Sequence, residues 1–254
     1  MTAGRVKALA LPAAVLLAFE IWARRVDLHS DSLAPPSAIL VALWSAFADG
    51  AILTATRDTL MSAFAGLFLG GAVGLTLGIL LGLVQTLDRL MEVTIEAIRP
   101  IPSIALLPIA LIALGFGYRM EIAIVSFACV WPVLILARAA VRQVEPRLME
   151  VARALKLSPA DRVRKIVVPA ALPRIFVAFR LAAGIALIVA VTVEIAINPI
   201  GLGAAIMAAQ QGLQPDLMLA YLIWIGLIGF GLNAALNLMQ ARLFGRAALV
   251  RERA

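Results

Sequence analysis

Three observations predict an all-α membrane protein. Hydrophobic residues fill 63% of the 254 positions and charged residues 15%, whereas a soluble domain averages about 45–50% and about 25%. The mean hydropathy is +1.01. The apolar residues gather into six runs, most of them near the roughly 20 residues a helix needs to cross a bilayer, and no soluble domain is left over, so 1–254 reads as one transmembrane domain.

The first run, 8–22, follows Arg5 and Lys7 and is closed by Trp22, Arg24 and Arg25. It lacks a small-x-small cleavage site, which favours a retained anchor over a signal peptide. After it, Pro35 and Pro36 break the chain and Ser37 is placed to cap a helix. Ile39, Leu40, Leu43, Trp44 and Phe47 then recur at helical spacing. That pattern fits an amphipathic helix lying on the outer surface or one packed on the spans.

The second run, 60–87, carries Gly66, Gly70, Gly74, Gly78 and Gly82 four apart. Such a ridge admits a neighbouring helix at close range, and a sliding seam is compatible with it. In the third, 97–115, Pro100, Pro102 and Pro108 remove backbone donors. The freed carbonyls suit either a kink against neighbours or the lining of a water-filled path; Pro102, Ser103 and Pro108 are the candidates for the second role.

The fourth run, 121–137, contains the one cysteine, Cys129, read as a small buried hydrophobe; the one histidine, His29, reads as a loop residue. Neither a disulfide nor a Cys/His zinc set can be built from them. The fifth run, 176–197, ends near Glu194, Asn198 and Pro199. A carboxylate facing lipid there would be expensive, so Glu194 is hydrogen-bonded in a structural role or stands at the outer mouth with Asn198. Glu20 and Glu121 lie nearer the interfaces. The sixth run is 217–240.

With both ends placed inside, 18 of the 22 Lys and Arg residues fall on the inner segments and 4 on the outer. The positive-inside rule then makes both termini cytoplasmic. The net charge of +7 thus reports membrane orientation, with no basic domain for nucleic acid.

The longest inner segment, 145–174, is basic and helix-forming. Pro146 suits a first turn, and Leu148, Val151, Ala152 and Leu155 make one apolar stripe. Ser158-Pro159-Ala160-Asp161 is a capping box that starts a second short helix, expected to fade before Pro169. An apolar ridge with a basic flank suits docking into a partner's groove or resting on anionic lipid, and the pattern alone leaves both open.

The same residues resemble the EAA loop of permease subunits of ABC-type, binding-protein-dependent importers. That motif has Glu-Ala-Ala, a glycine six residues after the glutamate, and Ile-x-Leu-Pro after nine more. Glu150, Ala152, Ile166 and Pro169 fall in register; Val151, Val168 and Lys156 depart from it. Lysine at the glycine position implies either that the helix continues to Leu157 or that the turn is strained, at roughly 1 kcal/mol. "LAPPSAILVAL" (33–43), "RPIPSIALLPIALIALGFG" (99–117) and "EIAINPIGLGAAI" (194–206) are similar to segments of the nitrate, sulfonate and taurine group.

The resemblance implies a six-span type I ABC importer permease in the bacterial inner membrane. It forms a dimeric pore, with a second copy as the default mate, for a small anionic solute. It further implies an extracytoplasmic binding protein and a cytoplasmic ATPase dimer. Glu150, Val151, Ala152, Arg153, Leu155, Lys156, Ser158, Asp161, Ile166 and Pro169 would couple the pore to that ATPase. No G-x-x-x-x-G-K-[ST] loop occurs, so ATP and magnesium belong to the partner and the chain is no enzyme. The alternatives are an ion-coupled secondary carrier titrating Glu194, for which the halves show no convincing repeat, and an intramembrane enzyme, for which nucleophile and base are lacking.

Overall fold

The computed structural model describes residues 2–26 and 30–245; His29 and the C-terminal arginines beyond 245 lie outside the described residues. Every regular element among them is helical. They form two compact units, one of Met1–Asp58 with Glu194–Ile228, the other of Thr59–Val193 with Gly229–Ala254.

In the first unit α1 (Thr2–Arg25) is followed by α2 (Pro36–Ala48). Ser37 does not cap α2. The helix starts one residue earlier on Pro36, whose missing N–H costs nothing in a first turn. Glu20 of α1 supplies the cap, accepting the Ser37 N–H at 3.0 Å and its hydroxyl at 2.7 Å. Ile39, Ala42 and Ala46 turn inward while Leu40, Val41 and Trp44 stay exposed. Ile39 and Ala42 pack with Ala220, and Ala46 with Leu202, Ile206 and Tyr221, so α2 rests on α10 (Gly201–Gln211) and the start of α11 (Pro215–Phe244). Phe47 meets Trp224 edge-on at 4.8 Å, and the Trp224 indole donates to Thr56 Oγ1 at 2.8 Å.

The second unit is organised by α3 (Ala51–Leu83) and α6 (Tyr118–Arg142). A Cβ on Gly70 would lie 2.2 Å from the Ser126 carbonyl oxygen, on Gly74 2.4 Å from that of Val130, and on Gly78 2.6 Å from that of Leu134. Gly66 abuts Ile122 and Val125, and Gly82 abuts Arg138 and Val141. Each step of four on α3 is a step of four on α6 in the same direction. The two helices therefore run parallel along the whole glycine ridge.

A parallel pair obliges the intervening chain to return along their length. Residues 84–117 do so through α4 (Gln85–Ile98), a 3₁₀ turn (Ser103–Leu106) and α5 (Leu107–Leu114), bent by 80° at the break. The 97–115 stretch is thus no continuous helix. Pro100 and Pro102 withhold donors, so the ladder cannot be continued past Arg99, and Pro102 itself is extended at φ −61°, ψ 122°, from which the chain restarts as a tighter turn. Because α6 is parallel to α3, the bent pair carries the chain from the Gly82 end of the ridge back to its Gly66 end. Among the described residues, four helices are long and apolar enough to span, or five with this pair.

Beyond α6 come α7 (Pro146–Ala154), α8 (Pro159–Arg162), a π turn (Val163–Val167) and α9 (Val168–Ala196). Ala178, Ala182, Ala186 and Ala190 are all buried, a second small-residue ridge at four-residue spacing. Cys129 of α6 packs against it as a buried filler, its thiol 3.6 Å from the Ala182 carbonyl.

Candidate coupling segment and charged clusters

Helix α7 divides its apolar stripe between two tasks. Ala152 is 1% exposed, whereas Leu148, Val151 and Leu155 are 37, 49 and 65% exposed. Glu150 and Arg153 also face outward. The small residue seats the helix, and the larger ones form a partly exposed ridge.

The helix does not continue to Leu157. Lys156 takes φ +48°, the left-handed region, and the Leu157 N–H reaches Ala152 O at 3.0 Å while the Lys156 N–H reaches Arg153 O at 2.9 Å. This is a Schellman ending with lysine in the usual glycine place. The strained turn is the outcome realised, since two carbonyls at the helix end gain donors only if the chain reverses there.

Ser158 then caps α8, its Oγ accepting the Asp161 N–H at 3.1 Å and its hydroxyl donating to Asp161 Oδ2 at 3.0 Å. Lys165 Nζ stands 3.0 Å from Asp161 Oδ1. Lys165 chiefly, then the Ser158 hydroxyl, holds the Asp161 carboxyl below its ordinary value. The second helix does not fade before Pro169. Val168 N–H bonds back five residues to Val163 O, and the missing donor of Pro169 falls where the ladder is already widened, so the chain runs on into α9. Val167 is buried against Ala137, Ala140 and Val141, with Ile166 half-buried and Pro169 exposed beside it.

The proposed pore residues divide between the units. Pro102 and Pro108 are exposed at the starts of the 3₁₀ turn and α5. Ser103 lines a cavity of about 430 Å³ with Arg99, Phe127, Trp131 and Ile185. Glu194 and Asn198, in the other unit, are 2 and 1% exposed. Glu194 accepts the Gly203 N–H at 2.8 Å and sits so close to Gly201, at φ +89°, that a Cβ there would be 1.9 Å from its Oε1. Its carboxylate caps the N-terminus of α10, which is a structural use.

Two polar clusters escaped the sequence reading. Asp88 of α4, 3% exposed, is gripped by Arg138 and Arg142 of α6, with Arg138 Nε at 2.6 Å. Arg180 of α9 donates to Asn237 at 2.7 Å and Gln240 at 2.9 Å on α11. The i, i+3 spacing of Asn237 and Gln240 on an apolar helix was the available signal for the second. For the first there was only the amphipathy of 85–98.

With this geometry in hand, the chain can be set beside known proteins. Over 240 residues the chain is 27% identical to a chain named as an aliphatic sulfonates transport permease protein in Bacillus subtilis, covering 94% of this chain and 87% of that one. It is 31% identical to the nitrate import permease protein of Leptolyngbya laminosa over 72% of this chain and 63% of that one. Its fold matches the inward-facing MetNI methionine ABC transporter with a TM-score of 0.68 at 21% identity, covering 75% of this chain and 95% of that chain. Residues 74–248 match the model of the inner membrane component of binding-protein-dependent transport systems, and the chain belongs to that family.

Proposed function

We propose that this chain is the pore-forming permease of an ABC importer for a small anionic solute of the sulfonate, taurine or nitrate kind. A separate cytoplasmic ATPase dimer drives it through α7 and α8. The observation that carries the coupling role is the exposed ridge of Leu148, Val151 and Leu155 over a buried Ala152, flanked by Glu150 and Arg153. An apolar helix face of that size is what a groove on a soluble partner takes up. The names of the sulfonate and nitrate relatives support the anionic solute.

In this reading α1, α3, the bent pair, α6, α9 and α11 make six crossings with both termini cytoplasmic. A second copy completes the pore, and a binding protein delivers solute from outside. ATP and magnesium stay on the ATPase. Closure of the ATPase dimer draws the two α7–α8 units together, and Val167, Ala171 and Ile175 pass that movement to α6.

The test is Glu150→Arg in the assembled transporter. The expected result is loss of the ATPase on purification, or a fall of about a hundredfold or more in solute-stimulated ATP turnover, because a reversed charge at a docking face costs several kcal/mol. Unchanged co-purification and turnover would overturn the coupling role.

A further inference from the structure

Where α8 meets α4 and α6, a cleft of about 570 Å³ is lined by four arginines, Arg89, Arg138, Arg142 and Arg162, against the carboxylates of Asp88 and Glu92. The carboxylates are committed. Asp88 is held by Arg138 and Arg142, and Glu92 lies 3.5 Å from Arg138. Among the described residues no carboxylate stands within ion-pair distance of Arg89 or Arg162. The Nε of Arg162 is buried without a hydrogen-bond partner among them, a costly state for a charged donor unless something accepts from it.

The surroundings sharpen that demand. Val141, Val144 and Val167 give the cleft apolar walls that lower the local dielectric, and Gln85 adds an amide at its edge. Guanidinium forks pair with two oxygens of one group at once, a geometry that carboxylates, phosphates and sulfates share.

We propose that this cleft binds an oxyanion, with Arg162 and Arg89 as the receiving groups. Its source is the phosphate of an anionic phospholipid or a free oxyanion of the cytoplasm. Arg162 lies at the end of α8, while Arg89 and Arg138 lie on α4 and α6. A bound oxyanion therefore ties the α8 end of the inner loop to two membrane helices. The site goes beyond the transport reading and does not rest on it, because binding is measured on the chain itself.

The experiment follows thermal unfolding of the purified full chain in lipid-free detergent. Sodium sulfate is titrated against sodium chloride at equal ionic strength, and phosphatidylglycerol is added against phosphatidylcholine. The expected result is a saturable rise in Tm with sulfate, phosphatidylglycerol or both, and none with chloride or phosphatidylcholine. Arg162→Gln and Arg89→Gln each weaken the apparent affinity by roughly tenfold or more, while Arg119→Gln, at the far end of α6, leaves it unchanged. A response to sulfate alone assigns a free oxyanion, to phosphatidylglycerol alone a lipid phosphate, and to both a site open to either. No saturable rise, or a rise that both variants retain, overturns the proposal; Arg89 is exposed, so its variant carries the test should Arg162→Gln fail to fold.

Discussion

Lys156 is held in a conformation that its own side chain disfavours. At φ +48° a Cβ crowds the backbone at a cost of about 1 kcal/mol, which glycine would not incur. Lys156→Gly is therefore expected to raise the unfolding free energy of the purified chain by about 1 kcal/mol, read from denaturation at fixed detergent. A fall would mean that the lysine side chain supplies something the backbone argument omits. The sequence stated this question sharply, because the neighbours of Lys156 already marked a turn. It did not answer it, since helix extension and a left-handed ending differ only in where two carbonyls find donors. Leu213 repeats the solution after α10, at φ +52°. Glu194 shows the opposite case. Its place in an apolar run was legible, but the glycine beneath it and the helix end it caps are set by a turn that no periodicity encodes.

At the scale of elements, the glycines of α3 sort by what faces them. Gly70→Ala must push α6 away, because the new methyl would fall 2.2 Å from a backbone oxygen, and the expected cost is about 1–3 kcal/mol. Gly184→Ala on α9 meets nothing within 4 Å and is expected to be neutral or slightly stabilising, since alanine favours helix by up to about 1 kcal/mol. Paired thermal denaturation of the two variants checks this; similar losses in both would remove the close-packed seam from the account. The spacing of Gly66 to Gly82 was plain in the sequence, while the identity and direction of its partner were not, because one ridge does not name the surface it meets. Helix α4 escaped notice for a different reason. Asp88, Arg89, Glu92 and Glu96 depress the local hydropathy, and the helix is visible only as a strong two-sided pattern with Asp88 on the inner side. Pro169 likewise looked like a stop, and a turn with wider bonding carried the helix past it.

For the molecule as a whole, composition sufficed for an all-helical membrane chain, and the basic interruption at 145–174 was legible as short helices joined by a turn. Orientation is open to direct measurement because the one cysteine, Cys129, is fully buried and gives no labelling background. Ala160→Cys on α8 is expected to react with an impermeant maleimide only after the inner face is opened, and Ala48→Cys at the end of α2 in intact cells. The reverse pattern would invert the topology. What composition could not provide was the path between the runs 60–87 and 121–137, since a straight helix and a bent pair have the same apolar content; the parallel register of α3 against α6 is what requires that path to return along their length.

That register also has a mechanical meaning. From Gly66 to Gly82 the two helices touch backbone to backbone over roughly 24 Å, at 1.5 Å per residue. Side chains elsewhere in a core absorb small displacements by changing rotamer, but a glycine pressed on a carbonyl has no rotamer to change. The pair therefore behaves as a strut without slack. Val167 leans on α6 near Val141, at one end of that strut, and Ile122 stands at the other.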